Sequence, residues 1–281
     1  MLSYFCNGKH MATKLTFLGT GSADALRYYQ TCFVVSNGNG ENLLVDAGGG
    51  GEILRQLHDA NIPLEQIRHI FITHKHLDHF WGLFWILRFL GSKIAKGKAQ
   101  DLHIYASETI IGIIKEISPL FLKEKVTGLY DDKILFHPID NGEEISINEW
   151  TLRPVSVESE KGEQFGFILS YDGKRLVFGG DEPLRGALLA SAQDAKYLIH
   201  DAFCLEKDRE RYRPQEIGHS TVKDAAQTAQ TIRAKNLILV HTEDATFGER
   251  KSLYTQEARE FFDGNVIVPD DLEVVEMESE I

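Results

Sequence analysis

Three imidazoles and a carboxylate crowd into Thr73-His74-Lys75-His76-Leu77-Asp78-His79, directly after the apolar run Ile70-Phe71-Ile72. Imidazole nitrogen and carboxylate oxygen are the ligands that zinc and neighbouring divalent ions take from proteins. A short loop leaving a rigid strand aims alternate side chains at one point, so His74 and His76 can converge on one cation. Asp78 and His79 can then turn toward a second. A cation pair supports hydrolysis, by sharpening water and polarising the group under attack.

A single loop does not close such a site, and the rest of the chain supplies strands that could. Lys14-Leu15-Thr16-Phe17-Leu18, Cys32-Phe33-Val34-Val35 and Asn42-Leu43-Leu44-Val45 read as strands, the last two linked by the hairpin signal Asn37-Gly38-Asn39-Gly40. Asp46 follows, either supporting the metal loop from behind or simply leading a helix. The glycines 48 to 51 read as a tight turn rather than a phosphate cradle, because they lack the lysine and spacing of nucleotide-binding loops. Phe80-Trp81-Gly82-Leu83-Phe84-Trp85-Ile86-Leu87 is apolar on every side, which predicts a buried helix with Trp81 nearest the ligands. Residues 91–135 read as a variable insertion, in which His103 is an ordinary strand histidine; His137, just beyond, is read likewise.

A second half begins near Ile145. Trp150 to Glu158, Phe165 to Leu169 and Arg175 to Phe178 read as strands, the last two joined at Asp172-Gly173. Gly179-Gly180-Asp181, Ile199-His200-Asp201 and Val240-His241 each put a ligand-type residue just past a strand end. A helix from about Thr221 to Ala234 is capped by Ser220 or Thr221, with Asp224 in its first turn. Strands first with helices interspersed, twice over, suit two sheets packed face to face with helices outside.

H-x-H-x-D-H after a strand resembles the metallo-β-lactamase superfamily, which implies an α/β fold, the four-layer αββα sandwich, with a one- or two-metal hydrolytic site at a sheet edge. The resemblance further implies that Asp181 bridges two divalent ions, zinc foremost with manganese or iron as alternatives, and that His241 completes the second site. It also calls for a third histidine on the first ion, after the strand 150–158. None is there; Glu158 takes that register, with Ser159 as fallback. Leu15-Thr16-Phe17-Leu18-Gly19-Thr20-Gly21 and Gly218-His219-Ser220-Thr221 are similar to the ribonuclease Z-like phosphodiesterase branch. There the histidine matching His219 acts on the scissile phosphate or leaving group, while Asp78 orients the attacking water as it ligates. His200 matches a supporting position. The implied metal set is therefore His74, His76, Asp78, His79, Glu158, Asp181 and His241, with Asp78 and His219 catalytic.

Long-armed tRNA-processing members of that branch carry a basic arm between the third-ligand strand and the bridging aspartate. Only 22 residues separate Glu158 from Asp181, and a strand hairpin fills them. The formal net charge of −12 also opposes long polyanions, although bound cations reverse the sign locally. A small or short phosphodiester is the expected substrate. A lactone or thioester hydrolase on the same scaffold, or a decayed metal-binding protein, are the alternatives.

With 281 residues, 43% of them hydrophobic, one large domain is affordable. The reading is an extension over residues 1–12, or an internal start at Met11, and a single domain over 13–281. Cys6, Cys32 and Cys204 are isolated and odd in number, which suggests a reducing cytoplasm and no disulfide frame. No apolar run reaches the roughly 18 residues of a membrane span. A homodimer is expected from the resemblance alone.

Overall fold

The computed structural model describes residues 13–37, 40 and 42–277. Residues 1–12, with Cys6, and Gly38 and Asn39 of the anticipated hairpin turn lie outside that set.

Two seven-stranded sheets face each other. The first holds β1 (Lys14–Gly19), β2 (Cys32–Ser36), β3 (Asn42–Val45), β4 (Ile67–Phe71), β5 (Leu102–Ala106) and β6 (Ile134–Pro138), with β14 (Val274–Glu276) beside β1. The second holds β7 (Ile145–Ile147), β8 (Trp150–Ser156), β9 (Phe165–Tyr171), β10 (Lys174–Phe178), β11 (Tyr197–Asp201), β12 (Asn236–Val240) and β13 (Asn265–Ile267). Each sheet is antiparallel on one side and parallel on the other, the parallel runs being β3 to β6 and β10 to β13. The β9–β10 turn falls at Asp172-Gly173, both with positive φ (45° and 70°), as a tight two-residue hairpin requires.

Alternation along the strands sorts side chains into two faces. Phe17, Phe33, Phe71, Phe167 and Phe178 point between the sheets and lock them together edge to face, with Phe33–Phe178 centroids 5.1 Å apart and Phe71–Phe167 5.3 Å apart. The outer faces carry separate aliphatic clusters under helices, including Gly82–Ile94 and Glu108–Ile117 on the first sheet and Val222–Thr231 and Arg250–Ala258 on the second. The result is the four-layer αββα sandwich. Cys32 and Cys204 are buried thiols. No helix among the described residues is long and apolar enough to cross a membrane.

Two expectations change, and one open alternative closes. Residues 91–135 are not an insertion: β5 and β6 complete the parallel half of the first sheet, with the helix Glu108–Ile117 packed on them. The helix starting at Gly82 is not buried all round. Leu83, Phe84, Ile86, Leu87 and Leu90 pack inward, whereas Trp81, Trp85 and Phe89, spaced four apart, form an exposed stripe. Thr221 rather than Ser220 caps the later helix, in a reciprocal capping box with Asp224.

Register pairs His69 with His103 across β4 and β5, and His137, opposite Tyr105 on β6, reaches His103 diagonally. His69 stacks on His103 at 5.1 Å and His103 on His137 at 5.2 Å, with His103 Nδ1 3.0 Å from His137 Nε2. Burial first, then the neighbouring His103 and Arg68, push the His69 imidazole down to about 4. Folded His69 stays neutral where the unfolded chain, with a pKa near 6.5, takes up a proton. Its contribution is therefore complete above about pH 6.5 and declines as pH falls toward 4, by up to about 1.4 kcal/mol per pH unit. Replacing His69 with Phe should flatten the fall in stability between pH 6.5 and 4, as measured by urea unfolding at stepped pH; equal slopes for both proteins would contradict this.

Candidate metal centre

The ends of the parallel strands converge at one mouth. β4 delivers Thr73 to His79, β3 delivers Asp46, β10 delivers Asp181, β11 delivers Asp201 and β12 delivers His241. Phe165 N–H donates to Thr73 O at 3.1 Å, so the base of the ligand loop is hydrogen-bonded directly to the opposite sheet. Asp46 and His241 hold left-handed backbone (φ 56° and 59°), which re-aims each side chain where its strand ends. Gly48 also has positive φ, and a Cβ there would sit 2.4 Å from the Tyr29 ring.

Hydrogen bonds fix which imidazole nitrogens face inward. The Thr73 hydroxyl donates to Asp46 Oδ2 at 2.8 Å, so its lone pair is left to accept from His74 Nδ1 at 2.9 Å. His79 Nδ1 donates to the same Asp46 oxygen at 2.8 Å. His241 Nδ1 stands 3.4 Å from Asp201 Oδ1. The Nδ1 atoms of His74 and His79 are thus committed to a hydroxyl and a carboxylate, and that of His241 faces a carboxylate at ion-pair distance, which leaves each Nε2 turned to the centre.

Those Nε2 atoms surround one carboxylate oxygen. Asp181 Oδ2 lies 3.5 Å from His74, 3.7 Å from His79 and 4.0 Å from His241. His76 Nδ1 is 2.9 Å from His74 Nε2 on one side. On the other, Asp78 Oδ2 is 3.2 Å from His79 Nε2 and 3.5 Å from His241 Nε2. Two metal-capable groups result: His74, His76 and Asp181, and Asp78, His79 and His241. Asp181, His219 and His241 make a third that overlaps them. Buried His79 Nε2 and His241 Nε2 have no hydrogen-bond partner, which cations would supply. The nitrogen and carboxylate donors fit zinc, manganese or iron(II).

Electrostatics point the same way. Burial opposes charge on Asp78 and Asp181, yet the surrounding imidazoles hold both carboxyls well below the usual range. Burial pushes His74 down to about 3 against the pull of Asp181. His241 goes the other way: despite burial, Asp201 and Asp78 lift it to about 9. Asp78 and Asp46 likewise raise His79 against its burial.

Glu158 does not join this centre. β8 ends at Ser156, and positive φ at Glu158 (55°) turns the side chain outward, where its carboxylate packs over Gly186. Ser159 comes nearer, lining a crevice with His74 and His76, but its hydroxyl donates to Glu182 at 2.5 Å. His200 is fully buried, donates Nδ1–H to Asp201 O at 2.7 Å and belongs to no ligand group among the described residues. His219 sits between Phe203 and His241, stacked at 5.2 and 4.9 Å, and donates Nδ1–H to Asp181 O at 2.8 Å. Sequence reasoning missed Asp201, Thr73 and Gln164. Asp201 was findable as the last residue of a strand tip whose alternation sends it opposite to His200.

Facing sheets with cation-capable loops at their parallel-strand ends define a metallo-β-lactamase-fold, ribonuclease Z-like chain. The family model described as Anti-Pycsar protein Apyc1 matches residues 13–260, and the chain belongs to that family. It is similar to the Ribonuclease Z of Bacillus subtilis, 28% identical, with 93% of this chain and 98% of that one covered. Among solved structures, the Bacillus subtilis metallo-beta-lactamase fold protein YhfI superposes with a TM-score of 0.76 at 18% identity, covering 95% of this chain and all of that one. Human tRNase Z, short form, gives 0.74 at 23% identity, with 95% and 100% covered.

Asp201→Asn keeps the shape of the carboxylate but removes its charge from His241. Metal affinity should fall about 10- to 100-fold with the fold intact, read by chelator competition and circular dichroism.

Proposed function

We propose that the chain is a metal-dependent phosphodiesterase that cleaves a small phosphodiester or nucleotide-type substrate. The observation that carries this is Asp181 Oδ2, one oxygen shared among His74, His79 and His241. In this reading His74, His76 and Asp181 hold one divalent ion, and Asp78, His79, Asp181 and His241 hold another, with zinc favoured. Cations there lower the pKa of water and draw charge from a phosphoryl oxygen. Asp78 orients the attacking water through the carboxylate it turns to the mouth. His219, its Nδ1 tied to a backbone carbonyl, has Nε2 left to meet the phosphate or leaving oxygen.

The kinship with Ribonuclease Z supports phosphodiester chemistry. The small substrate is favoured by two features. β9 and β10 occupy the stretch between Glu158 and Asp181 and leave no room for an arm. The net charge of −12 repels a long polyanion. Self-association belongs to the same reading, since Trp81, Trp85, Phe89 and Phe121 bank an exposed apolar cleft of about 410 Å³.

Hydrolysis of bis-p-nitrophenyl phosphate with added Mn²⁺ or Zn²⁺ tests the reading, beside a dinucleotide, a cyclic mononucleotide and a tRNA precursor. Asp181→Ala should abolish turnover, and turnover no greater than that of this variant under every metal would sink the proposal. His219→Ala should lower kcat about 10²- to 10⁴-fold at unchanged metal content. Loss of an ion instead would make His219 a ligand. Glu158→Ala should leave both rate and metal content near wild type. Sedimentation checks self-association: Trp85→Glu should shift a dimer to monomer.

A further inference from the structure

Gln164 is almost fully buried, and its side-chain amide donates Nε2–H to Asp181 Oδ1. The amide nitrogen lies where a Cβ on Gly180 would approach to 3.0 Å, directly before the shared carboxylate. Its backbone is held on both sides: Val157 N–H donates to Gln164 O at 3.1 Å, and Phe165 N–H donates to Thr73 O at 3.1 Å. Gln164 is thus fixed to the base of the His74–His79 loop and to the end of β8.

The consequence lies in how Asp181 presents its two oxygens. Oδ1 accepts from Gln164, and Oδ2 is the oxygen that makes the ion-pair contacts with the three imidazoles. A free carboxylate could swing and give both oxygens to one cation. Tethering disfavours that swing and leaves Oδ2 the better placed to be shared between two. The ligand count then differs between positions. His74, His76 and the shared oxygen serve the first, with His76 exposed. Asp78, His79, His241 and the shared oxygen serve the second, where Asp46 and Asp201 also brace the imidazoles.

Resting on the two-cation reading above, we propose that Gln164 is a positioning residue that restricts Asp181 to one bridging oxygen, so that the four-ligand position fills before the three-ligand position. The first position then keeps room for a substrate oxygen, as catalytic sites with three protein ligands do. Gln164 acts through Asp181 and touches no reacting atom.

Chelator-competition titration of metal-free protein with Zn²⁺, and electron paramagnetic resonance with Mn²⁺, read this without turnover. Wild type should bind its second equivalent at least about tenfold more weakly than its first, showing an isolated ion at one equivalent and a coupled pair at two. Gln164→Met, close in shape but without the donor, should weaken the second equivalent about tenfold further and lose the coupled signal, with the first changed less than about threefold. Gln164→Glu separates tethering from direct ligation: two facing carboxylates should weaken the pair, whereas tighter binding would make residue 164 a ligand and overturn the proposal. Thermal unfolding of the metal-free variants checks that they fold. Unchanged affinities in folded Gln164→Met would overturn this inference alone. Wild type holding under half an equivalent at saturation would overturn the two-cation reading and this inference together.

Discussion

A buried carboxylate that must be shared is the constraint on which this molecule is built. Asp181 is 5% exposed, and an anion removed from water is tolerated only where opposite charge or strong donors meet it. Three imidazoles and one amide do so. Those imidazoles are themselves aimed by a hydroxyl or a further carboxylate: His74 by Thr73, His79 by Asp46 and His241 by Asp201. The chain concentrates negative charge at this mouth, and that charge favours protons on His79 and His241 against their burial. Cation binding displaces those protons, so the same charges that stabilise the folded mouth also set how tightly it loads.

Convergence of distant residues follows from sheet geometry. Parallel strands end side by side, so β3, β4 and β10 to β12 release their last residues within one rim. The phenylalanine layer between the sheets keeps the two rims from sliding, because rings meeting edge to face tolerate little displacement. Left-handed backbone at Asp46 and His241 costs about 1–3 kcal/mol each and persists because the surrounding strands over-determine it. That energy is spent on direction, turning a side chain that strand alternation alone would misplace.

The layered fold was legible in the sequence, and so were most of the side chains that the structure brings together at the mouth. The His74–His79 loop announces itself by residue type and spacing after an apolar strand. Asp181 and His241 each follow an apolar run that must end where they stand. What stayed hidden depends on backbone dihedrals and long-range pairing. Glu158 has the right register, but its positive φ turns it outward, and register counts residues without seeing dihedrals. Gln164 meets Asp181 just past the open end of the β9–β10 hairpin and carries no charge to mark it. The helix Gly82–Ile94 reads as buried because tryptophan and phenylalanine occupy every face; only the packing shows which stripe the first sheet leaves uncovered. β5 and β6 looked like an insertion because their short runs carry histidines and a lysine-rich approach, whereas those histidines stack, His69 on its register partner His103 and His103 on the diagonal His137.

Charge at the mouth and charge over the whole surface act over different ranges. At physiological salt the Debye length is about 8 Å, so the overall −12 acts on an approaching polymer through the patches it passes, residue after residue. A small ester meets only the rim. There Asp181 and the imidazoles lie within about 4 Å of one another, and bound cations would make the local field positive. On the proposed reading, an acidic surface around a cation-loaded mouth would disfavour each added phosphate of a long chain while still attracting the one that reaches the centre. The β9–β10 hairpin fits that reading, since its two strands take up most of the stretch before Asp181.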